Sequence, residues 1–319
     1  MSWFFYILVF IISCLLLFRS GKLLIGGLMR IARFLKWREF VVAFFTIALA
    51  ATLPNLFVGI MSVIHGIPQL SFGNVIGGNV VDLTIVVALA VLIGGNLQAK
   101  SRMVQTSSVF TVIIAILPIL LLADKKLGRG DGIILLLFFV SYVAWLFSKK
   151  ERFTKVYNSY PYSFIKGLKG FVKDLGKVIL GIVFLLLAGE GIVRSALFFA
   201  KNLDLPLTLI GILIVGLGNA FPETYFAVVS AKRGQNWMVL GDLMGSVIMA
   251  PTLVLGVVSL LSPIVINDLS SFTVARLFLI ISAVFFLFFV RTDRKITKKE
   301  AVFLLFLYLL FVGVEIFLK

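Results

Sequence analysis

The chain contains very little cysteine, histidine or charge. One cysteine (Cys14) and one histidine (His65) occur among its 319 residues, which excludes an internal disulfide framework and argues against a Cys/His zinc site. Charged residues make up 14% of the chain, compared with roughly 25% in soluble domains. The sequence also lacks a Gly-x-Ser nucleophile segment with a suitable histidine, and it lacks a glycine-rich phosphate loop joined to lysine. These absences argue against the common hydrolase and nucleotide-binding classes.

Long apolar segments are what the chain has in abundance. Hydrophobic residues account for 61% of it, against roughly 45–50% in soluble domains. They are gathered in runs close to the ~20 residues that cross a bilayer as a helix. We therefore predict an all-α polytopic membrane protein that lies in the lipid bilayer. The ten predicted transmembrane helices are 3–18, 40–64, 72–94, 104–123, 132–148, 177–199, 206–230, 238–262, 273–290 and 301–318.

The basic residues favour one orientation in the membrane. Lysine and arginine number 30 against 14 acidic residues, which gives a net charge of +16. About three quarters of the basic residues fall on one side of the ten predicted helices, the side that the positive-inside rule places in the cytoplasm. The sequence thus predicts both termini outside, a cytoplasmic basic loop at 149–176, and a location in a prokaryotic cell membrane. Because this basic excess is an orientation signal, no nucleic-acid partner is expected.

Two similar segments of the chain lie 168 residues apart, ATLPNLFVGI…FGNVIGGNVVD from Ala51 and NAFPETYFAV…LGDLMGSVIMA from Asn219. The shared positions include Pro54 with Pro222, Gly66 with Gly234, Gly77 with Gly245 and Thr84 with Thr252. Five predicted helices precede the 149–176 loop, and two copies of an odd-numbered unit enter the membrane in opposite directions. The sequence therefore predicts two inverted five-helix repeats, at 1–148 and 177–319.

Asp82 and Glu223 are acids inside these apolar segments, one in each predicted repeat. A carboxylate in hydrocarbon costs roughly 3 kcal/mol, so it marks an ion or proton site by default. Pro54 and Pro222 lie in the middle of the second and seventh predicted helices, where each removes a backbone hydrogen bond. The freed carbonyls would need a partner such as a side chain, water or a cation. An oxygen-rich break at mid-membrane favours a hard cation such as Na⁺ or Ca²⁺.

The two halves resemble the sodium/calcium exchanger (cation/calcium antiporter) superfamily. That family has ten spans in two inverted halves, each with a G-[ST]-S-x-P-E-type motif on its second span and a G-S-N-x-x-[ND]-type motif on its third. The residues of this chain that match the motifs are Thr52, Pro54, Gly77, Asn79, Asp82, Pro222, Glu223, Gly245 and Ser246. The residues that depart from them are Asn55 in place of glutamate, Ala250 in place of Asn or Asp, Val247 in place of Asn, and Ala51 and Ala220 in place of hydroxyl residues.

The resemblance implies a secondary-active antiporter that moves Ca²⁺ or a similar cation against Na⁺ or H⁺ by alternating access. Asp82 and Glu223 would be its metal-binding carboxylates. The other expected ion-binding residues are Asn55, Thr52, Asn219, Ser246 and Asn79. No cofactor other than the transported cations and no obligate protein partner is expected. The missing acid at Asn55 weakens the case for coupling to several Na⁺ ions and leaves cation/proton exchange open. Two alternatives also stay open, a divergent membrane scaffold that no longer transports and an intramembrane enzyme.

Two further acids lie in predicted helices. Glu190 precedes Arg194 by four residues, which places both on one helix face, so we predict an ion pair near the membrane surface rather than an ion site. Asp242 lies near the start of the eighth predicted helix, where an acid interacts favourably with the helix N-terminus. It is a candidate for the lining of an access path.

Overall fold

The structure, a computed structural model, is almost entirely helical. It describes residues 3–34, 39–148, 164–266 and 270–317. Eight helical segments in these ranges are long and apolar enough to cross a bilayer, and Thr52–Ile64 is a shorter apolar helix. The prediction of a polytopic helical membrane protein is therefore confirmed. The helices are α1 (Trp3–Phe34), α2 (Glu39–Ile64), α3 (Pro68–Val81), α4 (Val87–Gly94), α5 (Arg102–Leu121), α6 (Arg129–Ser148), α7 (Phe164–Leu203), α8 (Leu207–Ile210), α9 (Gly216–Asn219), α10 (Phe221–Lys232), α11 (Asn236–Met249), α12 (Leu255–Leu261), α13 (Ser270–Thr292) and α14 (Lys298–Phe317).

Helices α1 and α7 are longer than the sequence predicted. They span 32 and 40 residues, or about 48 and 60 Å at 1.5 Å per residue, which exceeds the thickness of a bilayer. The predicted spans 3–18 and 177–199 were therefore too short, and the predicted loop 149–176 is helical from Phe164 onward. Its first part, 149–163, lies outside the described residues. Hydropathy marks only the part of a helix that lies in hydrocarbon, whereas lysine and arginine are good helix formers that extend it into water.

Three short π-helical segments interrupt the helices within the residues that the structure describes. Asp82–Val86 joins α3 to α4, Ala250–Val254 joins α11 to α12, and Gly211–Val215 joins α8 to α9. The first two lie at matching positions of the 168-residue offset. A π turn widens the helix by one residue and recurs at functional sites.

The same hydroxyl contact accompanies the two matching π segments. Thr84 Oγ1 donates to the Val80 carbonyl at 2.5 Å, and Thr252 Oγ1 donates to the Ile248 carbonyl at 2.6 Å. Each hydroxyl supplies a donor to a carbonyl just before a widened turn, where the regular backbone ladder is disturbed. This shared hydrogen bond explains why a threonine occupies the same position, Thr84 and Thr252, in both halves.

The two prolines act differently in the two halves. Helix α2 continues through Pro54, whereas the chain breaks at Ala220 between α9 and α10, with Pro222 in the first turn of α10. The prediction of a break at both prolines was therefore wrong for the first half. Proline fits the first turn of a helix, where its missing N–H has no intrahelical role, so the break falls just ahead of Pro222.

Two large buried apolar clusters, and a smaller one around Ile114, Tyr142 and Ile248, hold the described helices together. The two large clusters are built as follows. One joins α1, α2, α7 and α8 through residues such as Leu17, Val58 and Leu185. The other joins α3–α5 with α11–α14 through residues such as Phe72 and Phe286. The two clusters leave the polar faces of α2, α3, α10 and α11 to meet one another.

Two short antiparallel pairings tie the loops of the two halves together. Strand β1 (Leu97–Gln98) pairs with β4 (Lys295–Ile296), and β2 (Lys126–Leu127) pairs with β3 (Ile264–Val265). Each pair therefore joins one strand from before the 149–176 segment to one from after it.

Candidate cation-binding site

A small internal cavity lies where the helix interruptions meet. Its volume is about 10 Å³, the space of about one water-sized sphere. The lining comes from α2, α3, α9, α10, α11 and the residues at the helix breaks. The lining residues are Asn55, Asn74, Val75, Gly78, Asn79, Asp82, Gly216, Asn219, Ala220, Glu223, Ser246 and Ala250. Asp82 and Glu223, the two acids singled out in the sequence, thus line one cavity.

Close backbone approach brings α3 against the broken helix of the second half. A Cβ atom on Gly77 would lie 2.1 Å from the Ile212 carbonyl oxygen, and one on Gly216 would lie 2.7 Å from the Gly78 amide nitrogen. Neither position has room for a side chain, so glycine is required at both. This contact places Asn74, on α3, beside Asn219 at the end of α9.

Three asparagines form one side of the cavity. Asn219 Nδ2 donates to Asn55 Oδ1 and to Asn74 Oδ1, each at 3.0 Å. Asn74 Nδ2 also donates to Asn55 Oδ1 at 3.0 Å. Three elements, α2, α3 and α9, are therefore joined by a closed set of amide hydrogen bonds. Because Asn55 Oδ1 accepts two of them, that oxygen already has donors, and Asn55 serves to position its neighbours in this arrangement.

The two carboxylates also line the cavity. Asp82 is 4% exposed and Glu223 is 6% exposed. Ser246 Oγ donates to Asp82 Oδ2 at 3.0 Å. Glu223 lies in the first turn of α10, where the helix N-terminus favours a negative charge.

Four side-chain oxygens on the cavity have no hydrogen-bond donor among the described residues. They are Asp82 Oδ1, Glu223 Oε2, Asn79 Oδ1 and Asn219 Oδ1. Asn79 is oriented by its amide nitrogen, which donates to the Val247 carbonyl at 3.3 Å. A buried acceptor without a donor costs about 1–3 kcal/mol, and more when it is charged. A hard cation, which takes carboxylate and amide oxygens as ligands, would remove this cost for all four atoms.

Most of the predicted site residues meet at this cavity. Asp82, Glu223, Asn55, Asn219, Ser246 and Asn79 all line it. Thr52 is buried at 1% exposure, but it is not among the lining residues.

Sequence reasoning missed Asn74. Its signal was present, because Asn74, Gly78 and Asp82 are spaced by four and share one face of α3. The corresponding residues of the second half, Asp242 and Ser246, follow the same spacing. Ala250 completes that face, and its methyl group lines the cavity where the resembled family has an oxygen ligand.

The other predicted polar contact lies elsewhere. Glu190 accepts hydrogen bonds from Arg194 Nε at 2.5 Å and from His65 Nε2, in the ring tautomer that carries that proton, at 2.7 Å. The side chain of Glu190 is 29% exposed. The structure thus confirms the predicted ion pair of Glu190 with Arg194 and places Glu190 outside the lining of the cavity.

The fold and the site define a class, that of polytopic helical membrane proteins with a buried oxygen-lined cavity at interrupted helices. The sequence profile described as "Sodium/calcium exchanger protein" matches residues 5–148 and 174–317. The chain therefore belongs to the sodium/calcium exchanger family, a family of membrane cation antiporters.

Two relatives and one solved structure illustrate this membership. The uncharacterized membrane protein MJ0091 of Methanocaldococcus jannaschii is 26% identical over 74% of this chain and 76% of its own length. The sodium/calcium exchanger MaX1 of Methanosarcina acetivorans is 23% identical over 96% of this chain and 97% of its own length. A structure of the sodium-calcium exchanger NCX_Mj soaked with Na⁺ and Sr²⁺ covers 98% of this chain and 99% of that one, with a TM-score of 0.66 and 23% identity. At this identity the likeness shows a shared fold.

Proposed function

We propose that this chain is a secondary-active antiporter that moves Ca²⁺ or a similar divalent cation against Na⁺ or H⁺ by alternating access. The transported divalent cation binds between Asp82 and Glu223. Asn79, Asn219 and Ser246 complete or position its oxygen ligands, while Asn55 and Thr52 support them from α2.

The observation that carries this proposal is the set of four buried oxygens without donors on one small cavity. Two of them belong to carboxylates, which supply two negative charges to a divalent ion. No group of three acidic, histidine or cysteine side chains in the described part of the chain is arranged to hold a metal. Two carboxylates with neutral amide ligands bind a cation without the high charge density of a permanent metal site. That property suits a transported ion, which has to leave as well as enter.

Alternating access rests on ten transmembrane helices in two inverted five-helix repeats, at 1–148 and 177–319, joined by the segment 149–176. The family profile matches two segments of equal length, and the π segments at Asp82 and Ala250 lie 168 residues apart. Gly66 and Gly234, also 168 apart, both adopt φ of +70° in the turns that follow α2 and α10. The distribution of basic residues orients both termini outside and the 149–176 segment in the cytoplasm.

A membrane scaffold that no longer transports is the second candidate. It is favoured by Ala250, which places a methyl group on the cavity, and by Asn55, whose oxygen is occupied by amide donors. Ion flux separates the two candidates, because a scaffold has no reason to bind or exchange cations.

The decisive experiment is a counterflow panel with the full-length chain in proteoliposomes. Ca²⁺, Na⁺, K⁺ and Mg²⁺ are each presented with and without a pH gradient, and uptake of radioactive Ca²⁺ is followed. We expect Ca²⁺ uptake driven by an opposing Na⁺ or H⁺ gradient, and its loss in both Asp82→Asn and Glu223→Gln. Asp204→Asn is the matched control. It makes the same chemical change at an exposed residue with φ of +54°, a conformation that asparagine adopts readily. Absence of exchange in the wild type under every gradient would favour the scaffold.

A further inference from the structure

The single histidine of the chain belongs to a small charged cluster outside the cavity. His65 lies in the turn between α2 and α3, and its Nε2 atom is 2.7 Å from Oε2 of Glu190 on α7. Arg194, one helical turn further along α7, donates from Nε to the other oxygen of Glu190 at 2.5 Å. The side chains of His65 and Glu190 are 28% and 29% exposed, and neither lines the cavity. The cluster is therefore separate from the candidate site.

The backbone holds both partners of the His65–Glu190 contact in place. The amide of Ile67 donates to the Ser62 carbonyl at 2.8 Å and closes the turn that contains the histidine. On the other side, α7 lies close to α2, because a Cβ atom on Gly189 would be 3.1 Å from Met61 Cγ. With both backbones fixed, the strength of the contact depends on the charge of the imidazole ring.

The His65–Glu190 contact joins the two halves of the chain. Helices α2 and α3, on either side of the histidine, lead into the cavity at Asn79 and Asp82, and the chain after α7 leads into it at Asn219 and Glu223. In transporters built from inverted repeats, access alternates when one repeat or bundle moves against the other. A contact that is present in one conformation and absent from the next favours the first. This contact therefore favours the conformation seen here, in which the cavity is only about 10 Å³.

The charge of the ring changes with pH in the physiological range. Histidine is the side chain whose ordinary charge change falls between pH 5 and 8. A protonated His65 adds a positive charge beside Glu190, and a charge-assisted hydrogen bond is stronger than a neutral one. At higher pH the neutral ring keeps at most an uncharged hydrogen bond. Arg194 stays charged throughout, so the histidine is the member of the cluster that responds.

Other titratable groups on the surrounding helices are absent or distant. Helices α3 and α12, which also pack on α2, contain none. On α7 the nearest further charged residues are Lys177 and Lys201, which lie about three helical turns or more from the acid of the cluster. On α1 only a tyrosine and a cysteine precede Arg19, and both are ordinarily neutral below pH 8. Asp242 on α11 lies one turn from the residues that line the cavity, in another part of the molecule.

The second half has the same turn with a different side chain. Gly66 and Gly234 both adopt φ of +70°, and the residue before the second glycine is Arg233, which matches His65 at the offset of 168. The position that matches Glu190 is Lys22. Arginine keeps its charge at every physiological pH, and arginine and lysine repel each other. The matching positions therefore cannot form a pH-sensitive pair, and the device belongs to one of the two turns.

We propose that the His65–Glu190 contact is a pH-sensitive tie between the two halves, which holds this conformation at low pH and slows exchange there. The contact is strong when the histidine is protonated and weakens as pH rises and the ring loses its charge. The effect on exchange rests on the proposed function and adds a form of regulation to it. The effect on the stability of the fold does not depend on transport.

Thermal unfolding of the purified full-length chain tests the contact itself. His65→Gln should lower the unfolding temperature at about pH 5.5 and have little effect at about pH 8, because only the charged ring is stabilised by Glu190. His65→Arg, which supplies a fixed charge, should unfold alike to the wild type at low pH and should not lose the contribution of the contact at high pH. In a Glu190→Gln background, His65→Gln should have no pH-dependent effect. Asp204→Asn, at an exposed position, is the control and should follow the wild type.

Ca²⁺ exchange in proteoliposomes tests the regulation. At about pH 5.5 we expect His65→Gln to exchange about two- to fivefold faster than the wild type, the range given by a partly exposed charge pair, and at about pH 8 the two rates should agree. His65→Arg should be slower than His65→Gln at both values. Comparison at equal pH cancels any pH dependence that arises at the cavity, because Asp82 and Glu223 are present in all of these variants.

The two measurements separate the ways in which the proposal can fail. An equal effect of His65→Gln on the unfolding temperature at both pH values would overturn the charged contact. A pH-dependent effect on unfolding, with equal exchange rates of the variant and the wild type at low pH, would overturn the regulation of exchange. Absence of exchange in the wild type would refute the proposed function, while the unfolding comparison would still decide whether the contact is charge-dependent.

Discussion

Asp82→Asn is expected to separate cation binding from folding. Asp82 accepts a hydrogen bond from Ser246 at 3.0 Å through one carboxylate oxygen, and its other oxygen has no donor among the described residues. An asparagine of the same shape keeps an oxygen for Ser246. Its amide nitrogen faces a cavity whose other free groups, Asn79 Oδ1, Asn219 Oδ1 and Glu223 Oε2, are all acceptors. The substitution therefore replaces a buried charge with a donor that suits the cation-free cavity.

The expected magnitude follows from the loss of one of two charges around the cation. Removing one partner of a buried charge pair costs about 2–5 kcal/mol, which corresponds to about 30-fold to several-thousand-fold weaker binding. At a Ca²⁺ concentration 100 times the wild-type Kd, binding stabilises the wild type by about 2.7 kcal/mol, whereas a 30-fold weaker variant gains about 0.9 kcal/mol. Without Ca²⁺, the variant should be as stable as the wild type or more stable, because a buried charge has been removed.

Thermal unfolding in detergent, with and without Ca²⁺, measures both effects. The variant should unfold at or above the wild-type temperature in a Ca²⁺ chelator and should lose most of the Ca²⁺-induced shift. Asp204→Asn should show the full wild-type shift. A full Ca²⁺-induced shift in Asp82→Asn would refute the assignment of Asp82 to the cation. A large loss of stability without Ca²⁺ would refute the description of the empty cavity as a cluster of acceptors.

Three further predictions concern the surroundings of the site. Asn219→Ala removes the donor of two 3.0 Å hydrogen bonds and should destabilise the fold by about 1–3 kcal/mol for each acceptor left unpaired. Thermal unfolding should show a lower unfolding temperature, and a binding assay should show weaker Ca²⁺ binding. Gly77→Ala places a Cβ atom 2.1 Å from the Ile212 carbonyl oxygen and should sharply reduce the yield of monodisperse protein. Gly78→Ala is the control: its Cβ atom would meet no described atom within 4 Å, so the yield should be unchanged. Glu190→Gln should keep exchange and cost at most about 1 kcal/mol, as expected for a surface pair.

Each of these predictions has an outcome that contradicts it. An unchanged unfolding temperature for Asn219→Ala would show that the amide set contributes nothing. Equal yields of Gly77→Ala and Gly78→Ala would contradict the backbone contact between α3 and the segment that follows α8. Loss of exchange in Glu190→Gln, with the fold intact, would bring that acid into the ion path.

Several parts of the site could be predicted from the sequence because their signals are local. Asp82 and Glu223 stand out in apolar segments where any acid is costly, and Gly77 stands at a position shared by both halves. Asn74 was not predicted, although it shares the helix-face spacing that relates Gly78 to Asp82, because that spacing alone does not say which neighbour it meets. Asp242 was predicted near an access path, and the structure places it beside the cavity without making it part of the lining.

Other features depended on which helices meet. The sequence placed a break at both prolines, but the chain breaks only ahead of Pro222, because a proline is accommodated differently in the first turn of a helix and inside one. Hydropathy also predicted α1 and α7 to be shorter than they are. It detects the part of a helix that contacts lipid and does not detect the part that continues into water.

By itself, the amino-acid sequence determined that this protein is a helical membrane protein of two related halves, with one candidate ion-binding acid, Asp82 or Glu223, in each. Composition and the length of the apolar runs are enough for that, because a run of about 20 apolar residues can cross a bilayer, and an acid within it is costly, whichever helices it packs against. Only the tertiary structure decided which oxygens are left without donors. That outcome depends on the facing helix: Asn219 satisfies Asn55 and Asn74, Ser246 satisfies one oxygen of Asp82, and the remaining acceptors of four residues converge on the same small cavity.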